Sequence, residues 1–128
     1  MVQGKRLNDL AAEMLAGRFS IVSGLNASVG GNDEGPNPHE LLEASLAACT
    51  IMTVQMYAKR KQIKLESTKV AVKVESEGPQ GSVISRKVEF LGNLSVDERT
   101  RLLEIANKCP IHRLLSGQVQ VQTELVGP

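Results

Sequence analysis

Aromatic residues are almost missing from this sequence: it has no tryptophan, one tyrosine and two phenylalanines in 128 residues. That removes the stacking platform on which single-stranded nucleic acid is held. It also predicts an aliphatic core, because hydrophobic residues still make up 41% of the chain. A charge of one sign is missing too. Fifteen Lys and Arg against 14 Asp and Glu leave a net +1, far from the basic surplus that neutralising several phosphates requires. Nucleic acid is therefore not an expected partner. Cysteine occurs twice, at Cys49 and Cys109, too sparsely for a disulfide framework. The opening stretch, Met1 to Met14, lacks the apolar run of a secretory signal. The most apolar segment, Leu41 to Val54, is fourteen residues long and carries Glu43, which is short for a membrane crossing. These absences predict a cytosolic protein without a membrane segment. The length suits a single domain over residues 1–128, able to bury about two-thirds of its unfolded surface.

What is present is a sequence of well-marked elements. Lys5 to Ala16 reads equally as a short helix or an irregular strand. Arg18 to Ser23 alternates as a strand does. Gly24 to Pro38 is rich in Gly, Asn, Asp, Ser and Pro and reads as a loop. Pro38 suits the first position of a helix, with Asn37 as its cap. In that helix Leu42, Leu46, Cys49, Thr53 and Met56 share one face, and Leu41, Ala44, Ala48 and Met52 a neighbouring one. A helix apolar on so many sides is expected to be surrounded by protein. Lys59, Arg60 and Lys61 suit its C-terminal end. Val70, Val72 and Val74, then Ile84, Arg86, Val88 and Phe90, mark the two strands of a hairpin turning at Gly78 to Gly81. Ser95 and Glu98 form a capping box that opens a helix reaching about Lys108. Pro110 breaks it and starts a short turn ending at Gly117. Val119, Val121, Thr123 and Leu125 predict a last strand. This order fits an α+β domain, with a mostly antiparallel sheet and a central buried helix.

The residues able to carry chemistry are few. Cys109 and His112, with His39 and Cys49, are the available soft or nitrogen ligands, and a tetrahedral metal site would need all four; no metal or cofactor is expected. Gly30-Gly31 matches no phosphate-binding loop. The cysteines remain. Cys49, mid-helix among Ala and Met, reads as a small buried hydrophobe or as a thiol in a site. Cys109 reads as a helix-ending Cys-Pro, or as a cap of the next turn with a lowered pKa, beside His112 and Arg113.

The stretch Gly35-Pro36-Asn37-Pro38-His39-Glu40-Leu41-Leu42, continuing to Ala47-Ala48-Cys49-Thr50, resembles the first cysteine motif of the OsmC/Ohr family. Leu102 to Arg113, with Cys109-Pro110-Ile111-His112-Arg113 at its end, resembles the second. With the strands around them the resemblance covers roughly residues 17–126. It implies an OsmC-like fold and an intertwined homodimer with its cysteine sites at the subunit interface. It implies a thiol peroxidase acting on organic, especially fatty, hydroperoxides. Cys49 would be the peroxidatic thiol and Cys109 the resolving one, reset by an external dithiol reductant. An N-terminal Arg and a Glu before the long helix would support the thiolate. Location favours Arg18 for the first, with Arg6 as the alternative, and Glu40 for the second. Hydroperoxidase members place that Glu ten residues before the first Cys, where this sequence has His39; Glu40 lies nine before. The resemblance is therefore to a divergent OsmC-like branch, whose other implied role is a non-catalytic thiol sensor or a binder of a small hydrophobic ligand.

Overall fold

The computed structural model describes residues 1–127. Along the chain come β1 (Val2–Asn8), β2 (Ala11–Ala16), β3 (Phe19–Gly24), a 3-10 turn at Ala27–Val29, α1 (Pro38–Lys61), β4 (Ser67–Ser76), β5 (Val83–Leu91), α2 (Val96–Ala106) and α3 (Pro110–Ser116). The strands form two antiparallel sheets, β1-β2-β3 and β4-β5, so the α+β class expected from the order of elements is the class observed. The chain divides into two compact units, one over Met1–Ala44 and one from Ser45 onward.

In the first unit, the segment that reads as either helix or strand is two arms of a hairpin, with Lys5 opposite Glu13 and Arg6 opposite Ala12. Asp9 turns the chain at φ 35°, a conformation that Asp tolerates better than most residues. Gly17, at φ 61°, opens the two-residue connection from β2 to β3 and leaves Arg18 at its tip. The loop that follows is fastened to β3. The Ser23 hydroxyl donates to the Pro36 carbonyl at 2.7 Å, and Gly35 comes so close to the Val22 carbonyl that a Cβ would collide with it. Asn37 caps α1 as expected. Its side chain accepts the Glu40 N–H at 2.8 Å, and the Glu40 carboxylate accepts the Asn37 N–H at 3.0 Å. This is a reciprocal capping box.

In the second unit, α1 runs on to Lys61 and stops at Gln62, whose left-handed φ of 58° lets Ile63 N–H reach back to the Ala58 carbonyl at 2.9 Å. Leu46, Thr50, Val54 and Ala58 form its buried stripe. Val54 and Ala58 pack with Leu65, Phe90, Leu102, Ile105 and Ala106 as the core. Tyr57, beside that core, accepts a hydrogen bond from Arg101 Nε at 3.0 Å, and the Arg60 and Arg101 guanidinium groups lie over its ring. In β4–β5, Val70 faces Val88, Val72 faces Arg86 and Val74 faces Ile84. The capping box of Ser95 and Glu98 is present at 3.1 and 2.9 Å.

Three expectations are corrected. The apolar stretch is longer than Leu41 to Val54: within the 24 residues of α1 an 18-residue window reaches a mean hydropathy of 1.3, enough by length and composition alone to cross a membrane. It is also not surrounded by protein within the chain. Its buried residues recur every fourth position, so they trace one narrow stripe, and Met52 and Met56 stay 62% and 69% exposed. Finally, Val119 to Leu125 is not a strand, and Val121 and Leu125 are 83% and 90% exposed. The alternation is in the sequence, but a strand exists only where a neighbour takes up its N–H and C=O groups.

Candidate dithiol site

The second unit brings Cys49 and Cys109 together. Cys49 projects from the middle of α1, beside the buried stripe, and is half-buried. Cys109 is fully buried. It holds the junction where α2 has ended and Pro110 restarts the chain as α3. With extended backbone angles (φ −61°, ψ 140°) it is the N-cap of α3, and its sulfur accepts the His112 N–H at 3.3 Å. Burial pushes the Cys49 thiol up, but this is outweighed by the Ile111 backbone N–H, the Cys109 and Thr53 side chains and the charge of Arg86. The net result is a thiol below its ordinary pKa. Thr53 Oγ1 lies 3.9 Å from the Cys49 sulfur.

The sequence reading missed Arg86. It sits on β5 between Ile84 and Val88, on the face whose other members are apolar, and that misplaced charge was the available signal. Its Nη1 donates to Thr50 Oγ1 at 3.0 Å, and its Nη2 donates to Asn107 Oδ1 at 2.8 Å and meets His112 Nδ1 at 2.9 Å. A guanidinium can only donate, so His112 Nδ1 accepts and the ring proton belongs on Nε2. Burial and the Arg86 charge both push the His112 pKa down, which keeps the ring neutral near pH 7. Thr50 is fully buried. Its hydroxyl donates to the Leu46 carbonyl at 2.7 Å and stands 4.0 Å from the Cys109 sulfur. Arg86 and His112 also line a cleft of about 630 Å³, with Leu46, Ile84, Val88 and Leu103 among its apolar walls.

The other expected site residues fall in the first unit and have local partners there. The Arg18 guanidinium lies 5.0 Å from the centre of the Phe19 ring, Arg6 donates to the Asp9 carbonyl at 3.4 Å, and Glu40 is engaged in the α1 capping box. His39 is exposed in the first turn of α1. Among the described residues no group of three or more His, Cys, Asp or Glu side chains stands close enough to hold a metal ion.

Comparison with known proteins gives this arrangement a family. No curated protein sequence matches the chain significantly. Solved structures do resemble it. An OsmC-like protein from Mycoplasma pneumoniae superposes with a TM-score of 0.74 at 20% identity, covering 91% of this chain and 86% of that one. An organic hydroperoxide resistance protein OsmC from Legionella pneumophila gives 0.68 at 21% identity, covering 91% and 88%. An organic hydroperoxide resistance protein from Elizabethkingia anophelis, with thiocyanate bound, gives 0.63 at 22% identity, covering 88% and 86%. The family model described as OsmC-like protein matches residues 30–124, a span that contains both cysteines; the chain belongs to the OsmC-like family.

Proposed function

We propose that this protein is a cytosolic thiol peroxidase that reduces organic hydroperoxides. The observation that carries the reading is the asymmetry of the two thiols: Cys49 is reachable and held below its ordinary pKa, while Cys109 is beside it and fully buried. The thiolate is the nucleophile. Cys49 attacks one oxygen of the hydroperoxide; an S–O bond forms, the O–O bond breaks, and the alkoxide leaves and takes up a proton to become an alcohol. The Cys109 thiol then attacks the sulfenic sulfur of Cys49. An S–S bond forms, the S–O bond breaks and water leaves. An external dithiol reduces the disulfide by exchange and is itself oxidised. Two of the structural relatives carry organic hydroperoxide resistance in their names, which supports this substrate class.

The two units act as one OsmC-like domain in this reading, and the working form is a homodimer. The exposed apolar residues Met52 and Met56 on α1 and the alternating residues Val119, Val121 and Leu125, which lie outside any strand, are surfaces that a second copy would cover. Arg18 and Glu40 remain the proposed supporting cation and carboxylate by resemblance. The engagement of Glu40 in a helix cap favours a second reading, a thiol sensor or hydrophobic-ligand binder without turnover.

A steady-state assay with cumene hydroperoxide and a dithiol separates the two. Turnover in the wild type, its loss in Cys49→Ser, and a Cys49–Cys109 disulfide within one chain by mass spectrometry are the expected results. Free thiols in the presence of unconsumed peroxide would leave the non-catalytic reading standing.

A further inference from the structure

Arg86 touches neither sulfur, yet each of its hydrogen-bond acceptors is a close chain neighbour of a cysteine. Thr50 follows Cys49 on α1. Asn107 stands two residues before Cys109, where α2 ends. His112 stands three residues after it on α3, and its N–H is the one that Cys109 accepts. One planar fork on β5 therefore spans all the segments that carry the thiols. Such a fork is rigid and multidentate in a way that a lysine ammonium is not.

The same group is the site's source of positive charge. Its acceptors are a hydroxyl, an amide and a neutral imidazole, and no carboxylate pairs with it among the described residues. The titratable and charged groups that act on Cys49 are Arg86 from β5 and Cys109 from the α2–α3 junction. Burial and Arg86 push the His112 pKa down, which leaves Arg86 as the cation acting on Cys49, beside the hydrogen bonds from Ile111, Cys109 and Thr53 that lower the thiol more.

We propose that Arg86 is the positioning residue of the dithiol site: a single guanidinium holds both cysteine-bearing segments in register and supplies the charge that favours a thiolate at Cys49. This deepens the peroxidase reading and rests on it only for which sulfur reacts. The role is assigned to β5, apart from the N-terminal arginine that the family resemblance suggests.

The test reads the thiols directly and needs no turnover. Alkylation of Cys49 is followed against pH by peptide-resolved mass spectrometry in the wild type, Arg86→Met, Arg86→Lys and Lys87→Met. Closure of the Cys49–Cys109 disulfide is timed with diamide in the same proteins. Arg86→Met is expected to raise the alkylation midpoint, by less than the roughly one pH unit at the lower end of what a nearby opposite charge does, because the hydrogen bonds at Cys49 lower its thiol more than the Arg86 charge does. Arg86→Lys is expected to keep a near-wild-type midpoint but to close the disulfide about tenfold more slowly, because charge survives and alignment does not. Lys87→Met, which removes an exposed charge from the other face of β5, should leave both readouts unchanged. A folded Arg86→Met with the wild-type midpoint, or a midpoint that shifts as far in Lys87→Met as in Arg86→Met, overturns the proposal. Should Arg86→Met fail to fold, Arg86→Lys decides: disulfide closure at the wild-type rate overturns the positioning role. A wild type inert toward peroxide would sink the peroxidase reading and leave these measurements interpretable.

Discussion

Replacing Cys109 separates its two roles, as a helix cap and as a thiol. Both Cys109→Ser and Cys109→Ala remove the resolving sulfur, so both are expected to lose dithiol turnover equally. Their stabilities should differ. Cys109 is fully buried and its sulfur accepts the His112 N–H at 3.3 Å as the N-cap of α3. Alanine loses that cap, which costs about 1 kcal/mol, and leaves a small void where the sulfur was, costing about 1 kcal/mol more. Serine is a better cap than cysteine and fills much of the same space. Its buried hydroxyl is a cost of about 1 kcal/mol unless it is bonded, and the His112 N–H in front of it removes most of that. Cys109→Ser should therefore be more stable than Cys109→Ala by about 1 kcal/mol, or roughly 3 °C in Tm for a chain of this length. Urea denaturation under reducing conditions, at one protein concentration because dimerisation adds to apparent stability, measures the difference. An alanine variant as stable as the serine variant would show that the sulfur does not cap α3.

Removing residues 118–128 should convert a dimer into a folded monomer at micromolar concentration, read by sedimentation velocity alongside helical circular dichroism; an unchanged dimer would show that the tail is not part of the interface. The His112 pKa is pushed down by burial and by Arg86, so the native state binds this proton less readily than the unfolded chain. The associated stability is fully present above the unfolded value of about 6.5 and is lost as pH falls through the lower folded value. His112→Gln should flatten the fall in urea midpoint on the acid side of pH 6.5, and an identical slope would refute this. For Cys49, whose folded pKa is also lowered, the matching expectation is alkylation at pH values where a free thiol is still largely protonated.

Local chemistry explains which features were legible in the sequence. Pro38 with Asn37, the Ser95–Glu98 box, and Cys109-Pro110 with Gly117 each set a helix boundary through groups a few residues apart, and the structure keeps all three. The period-two pattern of Val70–Val74 and Ile84–Phe90 gave the observed pairing because one face of that hairpin is more buried than the other. β1 was ambiguous because all of its residues are exposed, so no burial rhythm is imprinted on them. The tail differs for the opposite reason: its alternation is clear, but a strand needs a partner, and none pairs with it among the described residues. Taken locally, Arg86 is one more member of an alternating strand. Its meaning depends on Thr50, Asn107 and His112, which lie 36, 21 and 26 residues away, and no local rule joins positions at such separations.

Tyr57, held between Arg60 and Arg101 at the edge of the core, is the sole tyrosine of a chain without tryptophan. The protein is therefore nearly dark in the near ultraviolet. Its intrinsic fluorescence comes from one phenol joining α1 to α2, which makes it a single-site reporter of that contact with no background to subtract. The same low aromatic background helps a thiolate forming at Cys49 to be followed as a difference spectrum, without a label.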